Sequence, residues 1–280
     1  MSLLPALPLA YYVDRFSPFL GPHWHNFGIR YYGLAYLLAF AAAYGALTRY
    51  ARAGRSLLPA EKVGDLMVYV VLGTLLGGRL GYFLLYRPDS FLSEPLAIFR
   101  VWEGGMASHG GMLGVTIALL WFGRAHRIPT LHLGDLIVSI APIGLFLGRL
   151  ANFINGELWG KISVVRWAVI FPNSAPPGTP LAMVPPRHPS QLYEAGLEGL
   201  FLLAFMQWRF WRSDIVRTQP GRLSGEFFFV YAFLRFAGER FREPDASLIL
   251  GLSRGSFYSI FLIFIGLGLI LNGRRQARTA

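Results

Sequence analysis

The sequence predicts an all-α integral membrane protein: about seven transmembrane helices in a single polytopic domain spanning residues 1–280, with a small outward-facing cap between the fourth and fifth. Three observations carry that prediction. Hydrophobic residues make up 54% of the 280-residue chain and charged residues only 15%, against roughly 25% charged in an average soluble domain. The mean hydropathy is correspondingly high, at +0.45. Apolar windows close to the ~20 residues that cross a hydrocarbon core recur along the chain, and the cations between them fall unequally on two sides. A disordered chain, a coiled coil and an ordinary soluble enzyme are excluded.

The elements follow in order. Leu3–Tyr12 is apolar but short and broken by Pro5 and Pro8, and reads as an interfacial segment. Residues 1–29 lack the basic start of a cleaved signal peptide. The apolar windows are Tyr31–Thr48, Gly64–Tyr86, Ser108–Gly123, Leu133–Phe153, Gln191–Trp211, Gly225–Phe241 and Gly255–Asn272. The third is short. The fifth carries Glu194 and Glu198 in its first turns, and the sixth carries Glu226, Arg235, Glu239 and Arg240. The head insertion is 154–190. In it Trp167–Phe171 has strand character, and Pro172–Pro189 is rich in Pro, Gly and Ser and reads as irregular. No internal repeat of the kind that builds inverted-repeat transporters stands out.

Loop charge sets the orientation. Arg49, Arg52, Arg55, Lys62, Arg124, Arg127, Arg209, Arg212, Arg217, Arg222, Arg274, Arg275 and Arg278 share one side. The other side holds Arg15, Arg87, Arg100, Lys161, Arg166, Arg187, Arg242 and Arg254, spread over longer loops. The first side is expected to be cytoplasmic, which puts the N-terminus and the head outside and the C-terminus inside. The net charge of +11 comes without a basic run or a nucleic-acid motif. It points to anionic lipid and away from nucleic acid.

Chemistry is narrowed by what the chain lacks. With no cysteine there is no disulfide, thiolate metal site or cysteine nucleophile, so any thiol in the reaction belongs to the substrate. His23, His25, His126 and His132 form no ligand spacing with acidic residues, and neither a metal nor a cofactor is expected. The core motifs of serine hydrolases, zinc proteases and ATPases are absent.

Five arginines lie within or at the ends of windows: Arg30, Arg79, Arg149, Arg235 and Arg240. A charge at bilayer depth costs roughly 2.5–3.5 kcal/mol, so each is a candidate for function. Arg30 and Arg240 read equally well as interface snorkels. Arg79, after Gly77-Gly78, reads as a close helix contact with a buried ion pair. Arg149 opens the densest polar run, Gly148-Arg149-Leu150-Ala151-Asn152-Phe153-Ile154-Asn155-Gly156-Glu157-Leu158-Trp159-Gly160. On a helix Arg149 and Asn152 share a face, and an arginine beside amide donors in a partly dry site suits a phosphate. Arg235 and Glu239 pair at i, i+4, with Tyr231 one turn earlier; alone they read as a structural pair, and beside Arg149 as a second arm on the phosphate. His109, before Gly110-Gly111, is a candidate general base, and equally a satisfied structural histidine. His188 reads as a helix-entry residue. From the residues alone the reading stops at an outer-face membrane enzyme or transporter that handles a phospholipid.

The run GRLANFINGELWG at 148–160 resembles the signature of the bacterial prolipoprotein diacylglyceryl transferases. RYYG at 30–33, SHGGMLG at 108–114, RHPSQLYE at 187–194 and YAFLRFAGERFREPD at 231–245 are similar to that family's other blocks, in the same order. The departures are Ala151, where glycine is frequent, and Lys161, where arginine is common. The resemblance implies an integral enzyme of the bacterial plasma membrane. Its reaction moves the diacylglyceryl group of phosphatidylglycerol to the lipobox cysteine thiol of a prolipoprotein and releases glycerol 1-phosphate. It also implies Tyr32, His109, Arg149, Asn152, Glu157, Gly160, Arg235 and Glu239 as functional positions. On that basis Arg149 and Arg235 are assigned to the phosphate, His109 to the substrate thiol, and Asn152 and Tyr32 to the head group. Glu157 and Glu239 would orient arginines or bind glycerol hydroxyls, and Gly160 is a backbone requirement.

Overall fold

The computed structural model describes residues 11–21, 28–100, 104–244 and 246–279. His23, His25 and most of the apolar stretch at 3–12 lie outside them. Each of the seven apolar windows holds one long helix: α1 Tyr31–Arg52, α2 Val63–Tyr86, α3 Ser108–His126, α4 Thr130–Ile154, α5 at 190–212, α6 Arg222–Glu239 and α7 Arg254–Thr279. Four of these regions, Tyr31–Arg52, Ala60–Tyr86, Thr130–Ile154 and Arg254–Gln276, are long and apolar enough to cross a membrane. The other three fall short for visible reasons. Glycines and two histidines dilute α3, and acidic and basic pairs interrupt α5 and α6.

The helices pack through small residues rather than through a hydrophobic drive that lipid would weaken. Gly73, Gly77 and Gly81 on α2 meet Gly110 and Gly114 on α3 so closely that a methyl group at Gly81 would stand 2.7 Å from the Gly110 Cα. This is the close contact expected beside Arg79. The expected ion pair is not: the described partners of the buried Arg79 guanidinium are five carbonyls, of Ala97 at 2.5 Å, Ile98, Arg100 and Gly105 at 3.0 Å each, and Gly104. The guanidinium ties the short helical turn Pro95–Phe99 to Arg100, Gly104 and Gly105, satisfying backbone carbonyls there.

The main core lies at one end of the bundle, where α1, α3 and α5 finish and α2, α4 and α6 begin. Leu47, Tyr50, Leu66, Phe122, Leu133, Leu136, Leu202, Met206, Phe210 and Leu223 are buried together there. Tyr50 stacks on Phe210 at 3.9 Å and accepts from Gln207 Nε2 at 2.6 Å. Buried polar groups tie the connecting loops to this end. His132 pairs its Nδ1 with the Val216 carbonyl (2.8 Å) and accepts at Nε2 from the Leu57 amide (3.0 Å). Asp135 accepts the Gly221 and Ser224 amides at 2.8 and 2.6 Å, which satisfies orphan donors at the start of α6.

The opposite end carries the head. Of the expected strand only Val169–Ile170 (β2) forms, and it pairs in parallel with Tyr12–Val13 (β1). Residues 172–189 are irregular apart from short helical turns at Pro172–Ser174 and Leu181–Met183. The head closes on itself where the Arg187 amide and carbonyl bond Val169 at 2.9 Å each way.

Candidate active site

Because consecutive helices run in alternate directions, the starts of α1, α3, α5 and α7 and the ends of α2, α4 and α6 share the head-bearing end of the bundle. Every residue singled out in the sequence for chemistry lies there. Tyr32 is in the first turn of α1 and His109 in the first turn of α3. Arg149 and Asn152 are in the last turns of α4, and Arg235 and Glu239 in those of α6.

Two carboxylates that sequence reading left aside form the hub. Glu194 and Glu198 are 0% exposed. Arg149 Nε lies 2.8 Å from Glu194 Oε2 as an ion pair, and its Nη2 donates to Glu198 Oε2 at 3.3 Å. Arg235 Nη1 lies 3.2 Å from Glu194 and 3.1 Å from Glu198, and its Nη2 lies 2.8 Å from Glu239. Arg242, counted from sequence as a loop cation, is buried and meets both Glu194 oxygens at 3.2 and 3.3 Å. Three guanidinium groups thus balance three carboxylates. In a dry interior that balance is needed, since a buried charge without a partner is strongly destabilising.

The backbone of α5 makes the hub possible. Ala195–Phe201 is π-helical, a distortion frequent at functional sites. Within it Gly199 sits so close to α4 that a methyl group there would stand 2.6 Å from the Phe146 Cβ. α5 can therefore sink onto α4 and bring both carboxylates to Arg149.

Arg235 is enclosed. Both terminal nitrogens are taken by carboxylates, and Gly255 of α7 covers its Nε so closely that a methyl group would stand 2.8 Å away. Arg149 is more open, its side chain 17% exposed. Asn152, one turn on, donates its amide to the Tyr32 hydroxyl, which is also hydrogen-bonded to the Glu157 carboxylate. Glu157 accepts from Asn155 Nδ2 at 3.1 Å; of the two roles expected for it, orienting an arginine or binding glycerol hydroxyls, the described contacts show no arginine, only this amide and the tyrosine. Glu239 does hold an arginine, Arg235.

Gly160 is pinched between backbones. Its amide donates to the His188 carbonyl at 3.0 Å, and the next amide, of Lys161, to the Phe241 carbonyl at 2.9 Å. A methyl group on Gly160 would meet those carbonyl oxygens at 2.5 and 2.6 Å. This junction ties the head to the segment carrying Arg242. His188 packs there against Tyr193 and Phe241, and burial pushes its imidazole below the usual histidine range, as suits a neutral packing residue.

His109 is exposed, and its described ring contact is with Tyr258 of α7, centroids 5.7 Å apart. No contact among the described residues joins it to the arginines. Arg240 is exposed; its carbonyl accepts from Lys161 Nζ at 3.0 Å and its amide donates to the Gly238 carbonyl. Arg30 lies 5.0 Å over the Phe19 ring.

This end of the bundle therefore offers an open guanidinium edge, an amide and a phenol on one face, backed by a neutralised ionic network. Such an arrangement has the donors to bind an anionic ester and to steady an anionic leaving group. Over residues 22–272 the chain matches the family model described as prolipoprotein diacylglyceryl transferase. It is 43% identical over 262 residues to a phosphatidylglycerol–prolipoprotein diacylglyceryl transferase of Zymomonas mobilis subsp. mobilis, a match covering 90% of this chain and 88% of that protein. A protein of the same name from Bradyrhizobium diazoefficiens is 44% identical, covering 89% of each. One from Idiomarina loihiensis is 43% identical, covering 94% of this chain and 95% of that protein. At this coverage and identity, the chain belongs to the prolipoprotein diacylglyceryl transferase family.

Proposed function

We propose that this chain, a membrane transferase, performs its family's reaction at the head-bearing end of the bundle. The diacylglyceryl group of phosphatidylglycerol passes to the lipobox cysteine of a prolipoprotein. The substrate sulfur attacks the glycerol carbon that carries the phosphate. A thioether forms, the C–O bond breaks, and glycerol 1-phosphate leaves with that oxygen. The thiol proton passes to a base, for which His109 is the candidate.

The observation that carries this reading is the open edge of Arg149 beside the Asn152–Tyr32 pair. Arg149 takes the phosphate directly, with Asn152 and Tyr32 on the head group. Arg235 acts from behind: its charge adds to the field at the leaving oxygen, and Glu239 fixes its place. Glu157 holds the Tyr32 hydroxyl, and Gly160 keeps the head docked on the cluster.

The proposed setting is the bacterial plasma membrane, crossed about seven times, with the head and N-terminus outside and the C-terminus in the cytoplasm. Two features support it. Each of the seven long helices occupies one apolar window, and the cation-rich connections gather at the end away from Arg149. Substrate lipid then reaches the site from the outer leaflet, between helices.

The test uses purified protein in mixed micelles with phosphatidylglycerol and a short lipobox peptide, comparing wild type with Arg149→Ala. Glycerol phosphate release that requires the peptide, a diacylglyceryl mass gain on the cysteine, and loss of both in the variant are the expected results. Release without peptide modification would make the protein a phospholipase.

A further inference from the structure

A guanidinium has two usable edges: the side edge formed by Nε and Nη2, and the end edge formed by Nη1 and Nη2. In Arg149 the side edge is taken by carboxylates: Nε is ion-paired with Glu194 at 2.8 Å and Nη2 donates to Glu198 at 3.3 Å. Nη1 has no partner among the described residues. The end edge is left with parallel donors, the arrangement that takes two oxygens of one phosphate. Arg149 and Asn152 share a helix face, so the edge and the carboxamide can address one head group.

The residue that fixes this pose is Glu194. It has the shortest contact to Arg149, and its own position is held from two other directions by Arg235 at 3.2 Å and Arg242 at 3.2 Å. Completely buried, it cannot touch the lipid. We propose that Glu194 is a positioning residue: it grips the side edge of Arg149 so that the end edge faces the phosphate of the lipid substrate. The proposal rests on the assignment of that phosphate to Arg149.

The consequence is specific to one substrate. With Glu194 altered, Arg149 keeps its charge but loses a defined orientation, and a bidentate contact becomes at best a single one. A hydrogen bond to a charged group contributes about 1.5–3 kcal/mol, so the KM for phosphatidylglycerol should rise by about tenfold or more. The KM for the peptide should not move.

The experiment measures both KM values and kcat for Glu194→Gln and Glu194→Asp. The aspartate variant keeps the buried charge, and so the balance of the cluster, but is one methylene short of Arg149. It separates orientation from neutralisation and survives as a test if the glutamine variant does not fold. A raised KM for phosphatidylglycerol in the aspartate variant, with the peptide KM unchanged, is expected. A lower yield and melting temperature with both KM values as in wild type would reduce Glu194 to fold maintenance and overturn the proposal. Arg149→Ala is run alongside. Its readout is the dissociation constant for phosphatidylglycerol, measured without turnover: if that stays at the wild-type value, the assignment of the phosphate to Arg149 fails; if it rises while the KM values of the Glu194 variants do not, only the positioning role fails.

Discussion

Arg149 stands 2.8 Å from Glu194, a carboxylate on another helix that is wholly shut off from solvent, and this contact spends the inner edge of the guanidinium while leaving the outer edge open. The cation that the sequence marks for substrate is thus anchored by a carboxylate buried behind it.

The first prediction concerns Arg149→Lys. A lysine keeps the charge but is a single point donor; it cannot hold Glu194 and Glu198 on one edge while offering a fork on the other. The kcat/KM for phosphatidylglycerol should fall about a hundredfold, the loss of contacts to a charged group totalling some 2–3 kcal/mol. Glycerol phosphate release measures it. Activity within a factor of about three of wild type would mean that charge alone suffices.

His109→Gln tests the base. An imidazole works as a general base only when neutral, so activity that depends on it must decline on the acid side of the pH profile. The variant should lose turnover by about 10²–10⁴-fold at neutral pH, and the residual activity should lack that acid limb. Near-normal turnover with an unchanged profile would remove His109 from the role and leave its ring as a packing partner of Tyr258.

Much of this was legible in the sequence, and the rest was hidden for a physical reason. Apolar length is a local property, so each of the seven windows located one long helix. The polar run from Arg149 to Gly160 stood out because such density is expensive at the edge of a membrane. Glu194 and Glu198 looked like charges at the mouth of a helix, where solvent would reach them, and Arg242 looked like a loop cation. Their burial depends on the π-helical segment, on Gly199 against Phe146 and on the return of the chain past Gly160, all of which join distant parts of the sequence. A signal was present: Glu194 and Glu198 repeat the i, i+4 spacing of Arg235 and Glu239, but as two carboxylates they leave one window with a negative charge that only cations from other segments can balance. The pairing of β1 with β2 left no comparable trace, because two residues of parallel ladder carry no periodicity.

Gly160→Ala should damage the enzyme at a distance. The added methyl group would press on the His188 and Phe241 carbonyl oxygens at 2.5 and 2.6 Å. Overpacking of this kind destabilises by about 1–3 kcal/mol, and the strained junction leads into Glu194 on one side and Arg242 on the other. A lower melting temperature together with reduced activity is expected. Gly45→Ala on α1, where nothing stands within 4 Å of the new methyl group, serves as the control and should be neutral or slightly stabilising, since alanine favours a helix interior by roughly 0.5–1 kcal/mol over glycine. Equal behaviour of the two variants would remove the steric account of Gly160.

Arg79→Met makes the last prediction. Methionine keeps an apolar stem but withdraws the guanidinium donors from the carbonyls of Ala97, Ile98, Arg100, Gly104 and Gly105. Lysine would not restore them, because an ammonium has three donors at one point and the carbonyls surround a planar group. The carbonyls of Arg100, Gly104 and Gly105 lie outside the short helical turn Pro95–Phe99, so they will turn to water and the segment will open locally while the glycine-packed helices behind it hold. Hydrogen exchange in 95–107 should therefore speed up by at least about tenfold, the change expected from 1.4 kcal/mol of lost local stability, while exchange in the far-end core around Tyr50 and Phe210 stays as in wild type. The loop runs directly into Ala107, whose amide is held by the Gly78 carbonyl at 2.9 Å, and then into Ser108 and His109. Turnover should fall along with protection, and more steeply than the affinity for phosphatidylglycerol, because His109 is displaced and Arg149 is not. Protection at 95–107 that is unchanged in Arg79→Met would show that the carbonyl cage does not hold the loop.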